Sequence, residues 1–164
     1  MASLSPVRAV ITGGPGVGKS TLLAAAADIG MAVFPEVARD ILRQPGGMEM
    51  RAKRPGEFAQ AMLDAEIVAY HAAGAGPALY DRGFPDIVGF LNMEGLPVTP
   101  TLEDPCLYLR YDGPIFRAPP WPEIYQRDAQ RIQNWDEAIA SDAAVCSAWR
   151  RYGYDLVDLP FAPV

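Results

Sequence analysis

The chain has 164 residues, half of them hydrophobic, and a formal net charge of −6. That length suits one domain, 1–164, with a core of its own, and the acidic balance argues against an extended nucleic-acid surface. No run approaches the roughly 18 consecutive apolar residues of a membrane span, and the first residues, Met1-Ala2-Ser3-Leu4-Ser5-Pro6, lack the basic start and apolar stretch of a signal peptide. Cys106 and Cys146 stand far apart and match no metal spacing, so a reduced, cytoplasmic setting is expected.

The first predicted element is a strand over 7–12, apolar and β-branched. It leads into Gly13-Gly14-Pro15-Gly16-Val17-Gly18-Lys19-Ser20-Thr21. Gly13, Gly18, Lys19 and Ser20 fill the pattern G-x-x-x-x-G-K-[ST], the phosphate-binding P-loop. Leu22 to Ala27 are strong helix formers, so strand, glycine loop and helix come in the order the motif requires. Glycines let successive N–H groups converge on one anion, and the helix over 18–29 adds its positive end. Lys19 would reach the β- and γ-phosphates, and the Ser20 hydroxyl would ligate Mg²⁺. The loop touches phosphates and not the base; with no Asn-Lys-x-Asp stretch to read guanine, ATP is the expected nucleotide.

A short strand over 31–34 ends at Pro35-Glu36, and 37–44 reads as a short helix stopped by Pro45-Gly46-Gly47. Residues 45–56 read as loop, and the basic cluster Arg51-Ala52-Lys53-Arg54 within it as solvated. Over 57–73, Phe58, Met62, Ala65 or Ile67, and Ala69 or Tyr70 recur at helical spacing. A buried strand over 77–80 runs into Asp81-Arg82-Gly83. Helices follow over 85–93 and, as helix or extended turn, 102–109, then a strand around 114–118. After Pro119-Pro120-Trp121-Pro122 come a helix through Asn134, another over 136–152, and a last strand after Gly153. Five short strands separated by helices predict a parallel α/β sheet. Right-handed crossovers would then bring the P-loop, Glu36, Asp81 and Arg117 to one edge.

Candidate roles follow from those positions. Asp81 ends a hydrophobic strand, the place of the carboxylate that holds Mg²⁺ beside a P-loop; the plainer reading is a turn or helix-cap residue. Arg82 beside it binds substrate or the transferring group, or pairs with a nearby carboxylate. Glu36 is placed to accept the proton of an attacking hydroxyl, or is a first-turn residue favoured by the helix dipole. Arg39, one turn on, faces the same cleft or pairs with Glu36. Arg127 and Arg131 share a helix face beyond the proline break, as arginines of a lid over about 119–135 would. Arg117 is a weaker candidate, His71 reads as structural, and Trp121, Trp135 and Trp149 read as packing residues.

Residues 11–21, Phe34-Pro35-Glu36-Val37-Ala38-Arg39, Asp81-Arg82-Gly83-Phe84-Pro85-Asp86 and Pro119-Pro120-Trp121-Pro122-Glu123-Ile124-Tyr125 occur in this order. In that order they resemble a family of small bacterial predicted ATPases that carries an AAA label and is similar to the ribosylnicotinamide kinase domain and other small P-loop kinases. The resemblance implies a nucleoside-monophosphate-kinase-like fold using ATP and Mg²⁺. It implies that Glu36 and Arg39 line an acceptor pocket, that Asp81 and Arg82 form the acid–arginine pair after the third strand, and that Arg127 and Arg131 belong to a lid. The chain leaves no room for the C-terminal helical domain of ring-forming motors. The reading that results is a Mg-ATP phosphotransferase acting on a small hydroxyl acceptor; the alternative is a nucleotide-gated switch acting on a protein partner.

Overall fold

The computed structural model describes residues 5–13, 19–121 and 134–160. Its strands are β1 (Pro6–Thr12), β2 (Ala32–Phe34), β3 (Gly76–Asp81), β4 (Ile115–Arg117) and β5 (Leu156–Asp158). All pair in parallel in one sheet of order β2-β3-β1-β4-β5. The order reverses at β1, whose neighbours are β3 and β4. In open α/β sheets, ligands bind at the carboxyl ends of strands at such a reversal. The register levels those ends: Ile11 lies beside Asp81, Thr12 beside Arg117, and Phe34 beside Tyr80.

The helices are α1 (Lys19–Asp28), α2 (Val37–Arg43), α3 (Gly47–Lys53), α4 (Pro55–His71), α5 (Phe84–Met93), α6 (Pro100–Tyr108) and α7 (Trp135–Arg151). Side chains alternate across the pleated strands, so each strand feeds both faces of the sheet. Ala9, Ile11 and Leu79 point to one face and pack with Leu23 and Ala26 of α1. Val10, Tyr80 and Ile115 point to the other, where α4, α5 and α7 supply Phe58, Leu63, Phe84, Val88 and Trp149. The second face carries the aromatic weight. Phe34 stacks on Tyr80 at 4.4 Å between centroids, and Tyr111 touches Tyr70, Tyr80, Phe84 and Trp149. The expected sheet, with helices on both faces, is what the chain builds.

Two local expectations need correction. Residues 47–53 form helix α3 and not loop. Pro45 and Pro55 bracket that segment without entering it, and Met48-Glu49-Met50-Arg51-Ala52-Lys53 are good helix formers. Glu49 stands in the first turn, Arg51 and Lys53 in the last, each sign matching its end of the dipole. The basic cluster therefore closes a helix. The buried stripe of α4 runs Phe58, Met62, Glu66, Tyr70 at a strict spacing of four. A carboxyl holds the place where Ala65 or Ile67 was expected.

Candidate functional site

The site begins where β1 ends. Gly13 has φ +137°, a value that disfavours side chains, and a Cβ there would strike the carbonyl oxygen of Ala118 just past β4. Gly14, Pro15, Gly16, Val17 and Gly18 lie outside the described residues. Lys19 opens α1 and is buried, 7% exposed, while Ser20 and Thr21 beside it are exposed. Burial, helped by Arg82, lowers the Lys19 ammonium to about 8 against the opposing pull of Asp81, Glu36 and Asp86. These same four groups make up the rest of the cleft.

Asp81, the last residue of β3, is 4% exposed, and its Oδ1 has no hydrogen-bond partner. Burial pushes its carboxyl up to about 6 although Lys19 pulls the other way. The next residue, Arg82, has φ 73°, the one non-glycine positive value among the described residues. Such a conformation costs on the order of 1 kcal/mol or more and persists only where surroundings hold it. Here the hold is visible. The Arg82 N–H donates to the carbonyl of Ile11 at 2.9 Å, Nε meets Glu36 Oε1 at 3.0 Å, and Nη1 meets Asp86 Oδ1 at 3.5 Å. Gly83 follows because a Cβ would lie 2.7 Å from the Tyr111 hydroxyl and 2.9 Å from the Trp149 ring.

Asp86 sits in the first turn of α5. It accepts hydrogen bonds from the Thr12 hydroxyl, the Gly83 N–H at 2.8 Å, the Trp149 indole N–H at 3.1 Å and Arg82. One carboxylate thus ties β1, the β3–α5 turn and α7 together. Burial raises its proton affinity, and Arg82 and the other donors oppose that rise.

Glu36, between β2 and α2, meets Arg82 at 3.0 Å and Arg39 at 3.5 Å. Burial works to raise its carboxyl, but Arg82, Lys19 and Arg39 together hold it below the usual carboxylate range. Both expectations for Arg39 meet here, since it pairs with Glu36 and remains at the cleft. Glu36 also lines a cavity of about 350 Å³, together with Arg82 and Asp86. Apolar side chains of α2, α4, α5 and α7 wall it, with Glu66 inside and Arg51, Glu94 and Glu137 also lining it. That volume falls within the usual size range of small-molecule sites.

The structure therefore brings Lys19, Glu36, Arg39, Asp81 and Arg82 together. It does not bring Arg117 to them. Arg117 clamps Asp142 of α7 at 2.6 Å and Asp158 of β5 at 3.1 Å, which makes it a brace between elements. His71 is exposed and lies edge-on to Tyr70 at 5.3 Å. Arg127, Arg131 and most of the expected lid lie outside the described residues. Sequence reasoning missed Asp86 as a hub, Trp149 as its donor, and Arg51 and Glu66 as cavity residues. A polar residue at a core position of a helical stripe was the signal available for Glu66. Nothing local marked Trp149, 63 residues from Asp86.

A family model described as AAA domain matches residues 8–164. No curated protein matches the chain. Among solved structures, the chain is similar to deoxyadenosine kinase from M. mycoides with the products dCMP and a flexible dCDP bound, at 14% identity and TM-score 0.68, covering 93% of this chain and 89% of that one. The same kinase with bound dATP matches at 14% identity and TM-score 0.64, covering 93% and 90%. With bound dCTP it matches at 14% and 0.63, covering 93% and 89%. At that identity the likeness establishes the fold, a P-loop kinase fold.

Proposed function

The chain belongs to the AAA-domain family, and from that premise and the geometry of its cleft we propose that it is an ATP-dependent phosphotransferase acting on a small, nucleoside-like hydroxyl acceptor. One observation carries the reading. The carboxylate of Glu36 lies in the field of Lys19 and also lines the cavity. A group so placed stands between donor and acceptor.

In the proposed reaction the acceptor hydroxyl oxygen attacks the γ-phosphorus of ATP. The bond from that phosphorus to the β,γ-bridging oxygen breaks, and ADP leaves with its electron pair. The hydroxyl proton passes to Glu36. Because Glu36 is held well ionised, it is a weak base that orients the hydroxyl and takes the proton late, as suits a loose phosphoryl transition state. Residues 13–21 cradle the β- and γ-phosphates, with the Lys19 ammonium among them. Arg82, fixed by Glu36 and Asp86, neutralises charge on the transferring group. Arg39 would border the acceptor; Arg127 and Arg131, which lie outside the described residues, remain candidate lid residues on the sequence pattern alone.

Mg²⁺ fits the residues present. Asp81 Oδ1 is buried without a partner, and carboxylate oxygen is the donor this hard cation prefers. Asp81 and the Ser20 hydroxyl would hold it. Among the described residues no group of three or more His, Cys, Asp or Glu side chains is arranged for a metal. When bound, the cation neutralises phosphate charge that grows in the transition state.

The test is a screen of ATP consumption and product mass over nucleosides, vitamins, sugars and amino alcohols. At least one acceptor should raise turnover above the water background. Glu36→Gln should then lower acceptor phosphorylation by roughly 10² to 10³ while sparing ATP affinity. No productive acceptor would count against transfer, and loss of ATP binding in Glu36→Gln would displace Glu36 from this role.

A further inference from the structure

Glu36, Glu66 and Asp86 are among the carboxyls that line the cavity, and two of these three are spoken for. Glu36 pairs with Arg82 and Arg39, and Asp86 accepts four hydrogen bonds. Glu66 differs. It is 3% exposed, lines the cavity in one row with Phe58 and Met62, and makes no hydrogen bond or ion pair among the described residues. The charges it feels, Asp86, Asp81 and Glu36, are all negative. A buried polar group without a partner is costly, and natural structures retain one where a ligand meets it. Burial and those neighbours raise its proton affinity well above the usual carboxylate range, so it offers one acceptor oxygen and one O–H donor.

The cavity lining as a whole is acidic. Glu36, Glu66, Asp86, Glu94 and Glu137 face only Arg51 and Arg82. Arg82 is already matched by Glu36 and Asp86, and Arg51 lies in the field of Glu94 and Glu137. Among the described residues, carboxyl side chains of the lining outnumber its two arginines, a balance unfavourable to a phosphate on an incoming acceptor. We propose that Glu66 determines acceptor specificity, accepting a hydrogen bond from an N–H group of an alcohol that carries no phosphate of its own. The inference rests on the phosphotransfer reading for its acceptor but not for its binding site.

Matched probes test it: adenosine, purine riboside (which lacks the amine) and AMP, and likewise glucosamine, glucose and glucosamine 6-phosphate. Binding by calorimetry, with Mg²⁺ and a non-hydrolysable ATP analogue present, and transfer from ATP are read side by side for wild type, Glu66→Gln and Glu66→Leu. In at least one set the amine-bearing, phosphate-free member should bind at least about tenfold more tightly than both counterparts, a difference within reach of one buried polar contact. Glu66→Leu should remove that preference and Glu66→Gln restore most of it, with thermal midpoints confirming that both variants fold. Equal binding of the phosphorylated member, indifference to Glu66→Leu, or no binding by any amine-bearing member overturns the proposal. Preferential binding without transfer to any acceptor would instead overturn the phosphotransfer reading and leave Glu66 in place. Transfer to phosphorylated alcohols would do the reverse.

Discussion

The turn between β3 and α5 and the inner face of α4 both bury a carboxyl, and they treat it in opposite ways. At the turn, Asp86 is saturated by Thr12, Arg82, Gly83 and Trp149, donors drawn from β1, the turn itself and α7. On α4, Glu66 stands in a row with Phe58 and Met62 and makes no hydrogen bond or ion pair among the described residues. A saturated buried carboxylate holds elements in register and is costly to break. An unsaturated one is a place where the fold tolerates strain that a ligand relieves. Asp81, five residues before Asp86, belongs with Glu66 in this respect, since its Oδ1 is also unpartnered. The cleft thus alternates rigid anchors with open valences.

Substitutions can break or sharpen that contrast. The largest effect is expected at Lys19, the proposed phosphate ligand: Lys19→Ala should lower kcat/KM by at least about 10³, on the order of 4 kcal/mol of transition-state stabilisation. Steady-state kinetics checks this, and unchanged activity would remove the loop from the chemistry. Next comes the anchor. Asp86→Asn leaves shape intact but strips the charge that Arg82 and three other donors face, so unfolding free energy should fall by about 3 kcal/mol in urea titration. A neutral result would mean the four contacts are incidental.

The smallest effect has the opposite sign. Asp81 titrates near 6 in the fold against 3.8 ordinarily. At pH below the ordinary value both states hold the proton and nothing differs. Between the two values the unfolded chain releases a proton that the folded chain keeps, so stability falls as pH rises. Above the folded value the full penalty applies. Asp81→Asn should therefore raise the melting temperature of the nucleotide-free protein at pH 8 and leave it unchanged at pH 3, while kcat falls. A stabilisation independent of pH would show that charge at Asp81 is not the cause.

Much of this was legible along the chain because the signals were local. The P-loop pattern, the apolar run ending at Asp81 and the Pro35-Glu36 step are contiguous, and a strand's carboxyl end follows directly from where its apolar run stops. The strand–helix alternation then implied a parallel sheet whose ends converge. Local signals also misled. Pro45-Gly46-Gly47 and Pro55-Gly56 made the segment between them look like loop, although the residues inside form α3. Arg117 stood at the end of a strand like the others, yet two distant aspartates claimed it.

By itself, then, the sequence determined the sheet, the nucleotide-side loop and the carboxylates at the strand ends, since each depends on neighbours in the chain. Only the tertiary structure decided which carboxylates are satisfied. Asp86 in the first turn of α5 and Glu66 within the buried stripe of α4 are both acidic residues on helices beside apolar stretches, and neither position shows which distant donors reach it. Trp149, reaching Asp86 across 63 residues, and the lack of a comparable donor to Glu66 among the described residues separate them. Hydrogen bonds close over a few ångströms of space whatever the separation along the chain, and that is why the cavity beside this cleft had to be read from the fold.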